Sequence, residues 1–591
     1  MMQYRFQDIA VEWQQDRLTL SNRRLCRVID WSAGMPRTLR LALDGGDLAL
    51  AETSAFDCAV AGFPFPGAEG VRCAYQAAEP TVEALPPEDG DGIKITVRTR
   101  EAGRRLEIAV SYILYPDLPV MAMELEVRSA VLPRLYWTRR SGEEFSANLT
   151  GSPRVTVVDS LDLPDFSVGK SVEFRMRTDV SDAPVLEHLV HGETGLVGNI
   201  LVARDGGGRK LFYLQEAPPS QERRSHTPFD FTVSGSRIAA LESAFNPDDI
   251  TPDRRVSGNR LVLGLAADGD EAHLLRQYLA RRRPASRAIA GAITVNPWGC
   301  GCFPKLVSEE FLHEEVRAAA RLGADFYQID DGYQNGSLAD MIVHNQMLDK
   351  HFWEVYPERL PHGFAPLAET AHAAQVGLAL WFAPSSNREY RDWRDSADIL
   401  LDFHRKYGID CFKLDGVQLQ TYEAEENFAR LLRTLYRESN GAVTVNLDVT
   451  NGTRGGIFRF AEYGTIFLEN RYVCHRWPAH PYHPEHTLRN LWQLAHWCNI
   501  QSLQIEVPSP DDCVPELYRE RGLAVPLDYP VEYWCLIAAM ASPLLWFAPS
   551  RLSAAAAARL RAVTTTIRQC RDRWRDAEIL PVGREPDGRA V

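Results

Sequence analysis

The chain has 591 residues, 45% of them hydrophobic and 24% charged, with a formal net charge of −14. Length and composition predict roughly two to four globular domains. The acidic balance argues against nucleic acid as a partner, and the longest apolar stretch, near 535–549, is too short to span a bilayer and ends in proline.

The first residues, MMQYRFQDIAVEWQQDR, lack the apolar core of a secretory signal. Eleven cysteines without regular spacing fit reduced thiols, so a cytoplasmic location is expected. Neither Cys300-Gly-Cys302 nor Cys474-His475 has the spacing of a zinc site, and no metal or other cofactor is expected. A homo-oligomer is left open.

Short alternating runs dominate the first ~250 residues, among them IKITVRT (93–99), RLEIAVSYIL (105–114) and VMAMELEVRS (120–129). The turn YPDLP separates the last two, so this half reads as a large antiparallel β-sandwich. DEAHLLRQYLARRR (270–283) has helical spacing and reads as a helical linker.

After residue 285 the rhythm changes to strand, loop, helix. The predicted strands are AITVNPW (292–298), ADFYQID (324–330), GLALWFAP (377–384), IDCFKLD (409–415), AVTVNLD (442–448), GTIFLEN (464–470), SLQIEV (502–507) and SPLLWFA (542–548). Helical segments separate most of them, including SEEFLHEEVRAAARLG (308–323), with Ser308 as its cap, and EENFARLLRTLYRES (425–439). Eight strands alternating with helices predict a (β/α)8 TIM barrel.

Active sites of this fold lie at the C-terminal ends of the strands. Seven of the eight predicted ends carry polar or aromatic groups over apolar strand bodies: Asn296 and Trp298, Asp330 and Asp331, Trp381, Lys413 and Asp415, Asn446 and Asp448, Glu469 and Arg471, and Glu506. Lys413 and Asp415 are two apart and share a face, so the lysine is expected to hold that carboxylate ionised, as a nucleophile requires. A second carboxyl across the pocket would supply the acid of glycoside cleavage. A structural ion pair is the alternative for Lys413 and Asp415, and a capped turn for Asp330-Asp331-Gly332.

FYQIDDGYQ (326–334) resembles the DDGW strand end of the α-galactosidase clan, glycoside hydrolase families 27, 31 and 36. CFKLDG resembles the strand-four KWD motif of family 36, TVNPW its first-strand NSWE-like segment and GLALWFAP its strand-three GLWFEP segment. Arg489, in HTLRNLWQLA, resembles the arginine on the helix after strand six. The resemblance covers most of the chain. It implies an N-terminal antiparallel β-supersandwich plus a (β/α)8 barrel, divided as a sandwich domain at 1–268, a helical linker at 269–290 and a catalytic barrel at 291–577. Residues 578–591 would be the start or remnant of a C-terminal β-domain.

The implied activity is that of a retaining α-glycosidase, α-galactosidase-like, acting on an oligosaccharide or glycoside. Asp415 matches the nucleophile. Glu469 stands where the family carries its acid/base aspartate, with Asp448 and Glu462 as weaker candidates. The remaining implied sugar contacts are Asp330, Asp331, Trp298, Trp381, Lys413, Asn446, Arg471 and Arg489. The carboxyls of Asp415 and Glu469 are expected under about 8 Å apart. Departures from the family include Tyr333 and Leu414 in place of two tryptophans, and NLDVTNGTRGG in place of the cysteine- and glycine-rich strand-five motif. Two alternatives remain open, a transglycosylase of the raffinose-synthase type and a noncatalytic sugar-binding protein on a decayed barrel.

Overall fold

The structure is a computed structural model. It describes residues 2–591 except 54, 64–73, 102, 104–105, 131–154, 176–183, 219–226, 268–269, 283–288, 301–303, 337–349, 449–455, 469–483, 512–513, 523–524 and 588–591. Its contacts divide the chain into two compact units. One comprises Met1–Phe174 with Leu186–Arg281, the other Arg175–Val185 with Arg282–Val591.

The first unit is antiparallel, in sheets of six, eleven and four strands. Strand Ile9–Gln14 alternates buried and outward residues, as a half-covered sheet requires. Strand Leu106–Leu114, which runs within the largest sheet, is almost wholly buried. One buried group ties the three sheets together. The Arg27 guanidinium, fully enclosed, pairs with Asp159 at 2.6 Å and Asp57 at 3.2 Å, and the Tyr213 hydroxyl donates to Asp159 at 2.8 Å. A buried arginine survives there because its charge is matched and its donors are used. The helix Glu271–Arg281, with buried Leu274, Leu275, Tyr278 and Leu279, belongs to this unit.

The second unit is a closed barrel of eight parallel strands, labelled here in barrel order. These are β1 Thr294–Val295, β2 Phe326–Ile329, β3 Gly377–Phe382, β4 Cys411–Leu414, β5 Thr444–Asp448, β6 Gly464–Phe467, β7 Leu503–Val507 and β8 Ser542–Leu545. Every predicted strand is present. Each pairs with its neighbour in chain order, and β1 closes on β8. Most are shorter at their C-terminal ends than predicted; after β2 and β4, Asp330 and Asp415 already belong to the loops.

Helices on the outside supply the cover that a parallel sheet needs. Helix Glu309–Arg321 starts as predicted at Ser308, whose hydroxyl accepts from Phe311 N at 3.2 Å. Its Leu312, Val316 and Ala319 are buried at helical spacing. Helix Tyr422–Glu438 is capped in the same way by Thr421. The longest helix, Ala554–Trp574, begins at Ser553 and buries Ala556, Leu560, Thr564 and Ile567.

Candidate active site

The register of the parallel ladder builds one row across four strands. Trp381 of β3 lies beside Lys413 of β4, Lys413 beside Asn446 of β5, and Asn446 beside Thr465 of β6. The Asn446 amide donates to the Thr465 hydroxyl at 2.9 Å. Inside a barrel these positions would ordinarily be branched apolar residues. Here the lysine is buried, so it must be paired.

Its ion pairs reach carboxylates of two other strand ends. Lys413 Nζ lies 3.4 Å from Asp330 Oδ2, just past β2, and 3.2 Å from Asp448 Oδ2, at the end of β5. It also sits over the rings of Phe467 at 5.3 Å and Trp546 at 5.4 Å, which adds cation–π attraction. Burial works against the ammonium, but Asp330, Asp448 and Asp415 together hold it well above ordinary lysine. The alternative of a Lys413–Asp415 ion pair is not what forms: the lysine pairs with Asp330 and Asp448, and Asp415 acts on it only through its charge.

Asp415 has other partners. Its backbone N–H donates to Phe382 O at 2.9 Å, continuing the β3–β4 ladder one residue past the strand. The Trp381 indole N–H donates to Asp415 Oδ2 at 2.9 Å, and Gly416 N–H to Oδ1 at 2.6 Å. The carboxylate is only partly buried.

Asp330 is gripped on several sides. Asn296 Nδ2 donates to its Oδ2 at 2.8 Å, Gln328 Nε2 to the same oxygen at 3.4 Å, and Asp331 N–H to Oδ1 at 3.0 Å. Burial pushes the Asp331 carboxyl above its ordinary range; the Gln334 amide opposes this, and the Asp330 charge adds to it. Two buried carboxylates at a strand end therefore reflect the site: one is tied to a lysine, the other to an amide. Gly332 turns the chain there at φ +122°, where a Cβ would lie 2.6 Å from that of Pro304. Its carbonyl accepts from Arg359.

Trp298 follows β1 on a short 3-10 turn, its N–H donating to Asn296 Oδ1 at 2.9 Å, and packs on the Phe467–Leu544–Trp546 cluster. Trp298 and Lys413 thus reach the same Phe467 and Trp546 rings from different strands. Arg489 is half-buried on helix Pro484–Ala495, after β6. Glu469 and Arg471 lie outside the described residues, and with them the expected Asp415–Glu469 spacing. Of the two weaker acid/base candidates, Asp448 is the buried partner of Lys413, and Glu462 is buried 3.5 Å from Arg282. Sequence reasoning missed Gln328, Gln334 and Arg359 as supports of the aspartates. The spacing of Gln328, two before Asp330, and of Gln334, three after Asp331, could have marked them, whereas Arg359 reaches Gly332 only through the fold.

The strand ends of the barrel gather carboxylates, a buried lysine and aromatic rings, and solved structures share the fold. The α-galactosidase from Lactobacillus brevis superposes with a TM-score of 0.67 at 10% identity, covering 95% of this chain and 84% of that one. The galactosidase domain of the α-galactosidase–sucrose kinase AgaSK gives 0.66 at 11% identity, with coverage of 96% and 87%. The family 36 α-galactosidase AgaA from Geobacillus stearothermophilus gives 0.64 at 11%, with coverage of 96% and 88%. The sandwich and barrel are thus the fold of these family 36 enzymes, in line with the motif resemblance. No family model and no curated protein sequence matches the chain. Among the described residues no helix is long and apolar enough to cross a membrane.

Proposed function

We propose that the chain is a retaining α-glycoside hydrolase of the α-galactosidase type, with Asp415 as nucleophile and Glu469 as acid/base. The observation that carries this reading is the arrangement at the barrel's C-terminal end. A half-open carboxylate held by two N–H donors stands beside a buried Asp330–Lys413–Asp448 group. AgaA variants of the same fold are solved with raffinose and with stachyose bound. An oligosaccharide ending in an α-linked sugar is the corresponding substrate here.

In the first step an Asp415 oxygen bonds to the anomeric carbon as the glycosidic C–O bond breaks, and Glu469 gives its proton to the leaving oxygen. Water then attacks the same carbon, returns a proton to Glu469 and releases Asp415, so configuration is retained. Asp330, Asp331 and Lys413 bind sugar hydroxyls, because carboxylates accept several such bonds and an ammonium donates three. Trp298 offers an aromatic face, the buried Trp381 and Asn446 back the site, and Arg471 and Arg489 complete the contacts. Two carboxylates suffice for this chemistry without a cofactor, and the composition supports work in the cytoplasm.

The test is a panel of nitrophenyl α-glycosides with wild type, Asp415→Asn and Asp415→Ala. The reading expects turnover of at least one glycoside by wild type and its loss in both variants, with folding intact by circular dichroism. Near-normal turnover in either variant eliminates Asp415. Sugar binding by wild type without turnover favours the noncatalytic alternative.

A further inference from the structure

We infer that Tyr333 and Trp381 are positioning residues for Asp415, linked as a relay from the outer wall of the barrel to the carboxylate. The inference rests on Asp415 being the nucleophile. Strands β2 and β3 are unequal in length. Their ladder ends at Ile329 beside Leu380, while β3 runs on through Trp381 and Phe382 against β4. Successive carbonyls of a strand point to opposite neighbours. That of Phe382 faces β4 and accepts from Asp415 N–H. That of Trp381 faces the side where β2 has already turned away, and there the Tyr333 hydroxyl donates to it at 2.9 Å.

Tyr333 is well placed for the task. It is fully buried, and its ring packs on Phe364 at 5.5 Å and Phe403 at 6.0 Å, in the helical shell. Burial, with the charges of Asp331 and Asp330, pushes its phenol well above the ordinary range, so the hydroxyl keeps its proton and remains a donor. Trp381 is equally fixed, 2% exposed and with its ring 5.8 Å from that of Trp353. Its indole N–H then meets Asp415 Oδ2 while Gly416 N–H meets Oδ1. With one N–H donor on each oxygen, the plane of the carboxylate is fixed. These hydrogen bonds weaken when the glycosyl ester forms and strengthen again when water displaces the sugar, which favours release.

The experiment measures kcat/KM against pH for Trp381→Phe and Tyr333→Phe in the full chain, with the nitrophenyl α-glycoside that wild type turns over best. The acid limb of that profile reports ionisation of the free enzyme's nucleophile. Trp381→Phe is expected to lower kcat/KM by about 10- to 100-fold and to move the acid limb up by about one pH unit. Tyr333→Phe, one oxygen smaller, should cost about three- to tenfold and move the limb the same way. A limb that stays in place in Tyr333→Phe overturns the relay, and an unmoved limb with a raised KM in Trp381→Phe reduces that residue to a sugar contact. If Trp381→Phe does not fold, Tyr333→Phe alone decides. Turnover surviving Asp415→Asn would instead defeat the nucleophile assignment itself.

Discussion

Lys413 concentrates the electrostatics of the barrel in one side chain. Its ammonium pairs with Asp330, just past β2, and with Asp448 of β5, at 3.4 and 3.2 Å. Replacing it with methionine keeps the length and removes the charge, leaving two carboxylates buried without their cation. Removal of one partner from such a buried group costs about 3–5 kcal/mol. Lys413→Met is therefore expected to lower the chemical-denaturation midpoint clearly and to abolish turnover, and a midpoint within error of wild type would contradict the pairing. The lysine's importance was legible in the sequence, but its partners were not. Spacing along one strand suggested Asp415, whereas a four-carbon stem reaches across to carboxylates that the register of β2 and β5 brings into range. Tyr333 was legible only as a departure from a family motif, because its hydroxyl bond depends on where β2 stops.

The strands and helices themselves were readable because alternating runs before residue 285 give way after it to short apolar runs separated by segments of helical period. The strand ends were less so, since Asp330 and Asp415 continue an extended run in sequence while the structure gives them to loops. Capping provides a direct measure at this scale. Ser308→Ala removes the acceptor for Phe311 N–H and should cost about 1 kcal/mol, read from the denaturation midpoint, with activity unchanged. The turn after β2 is a stricter test. Gly332→Ala meets both the positive φ of +122° and Pro304 at 2.6 Å, so the Asp330–Asp331 end must move. It should cost about 1–3 kcal/mol and reduce kcat/KM more than Ser308→Ala does.

Taken as a whole molecule, the chain carries opposing acid responses, both in the first unit. Glu124 pairs with Lys94 and Arg260, each at 2.7 Å. Burial opposes its charge, but Arg260 and Lys94 outweigh this and bring the carboxyl down to about 2. A depressed carboxyl contributes stability above its ordinary value of 4.5, and that stability is lost as pH falls toward about 2. Asp57 behaves in the opposite sense. Burial pushes it up to about 6; Arg27 opposes the rise and the Asp159 charge adds to it. The folded state therefore takes up a proton before the unfolded chain does, and this group's contribution improves as pH falls from 7 toward its ordinary 3.8. Thermal unfolding followed from pH 7 to pH 3 should show Asp57→Asn losing the gain between pH 7 and 5. Glu124→Gln should blunt the loss below pH 4.5. Neither network was legible in the sequence, because each joins strands that are far apart in the chain.

The central claim, that Asp415 attacks the sugar, is tested most directly by trapping. The protein is incubated with a 2-deoxy-2-fluoro glycosyl fluoride of the configuration preferred in the nitrophenyl panel, and its peptides are then mapped by mass spectrometry. The account predicts one added sugar, carried on Asp415. A stable label on Asp330, Asp448 or any other carboxylate, with Asp415 unmodified, would contradict it.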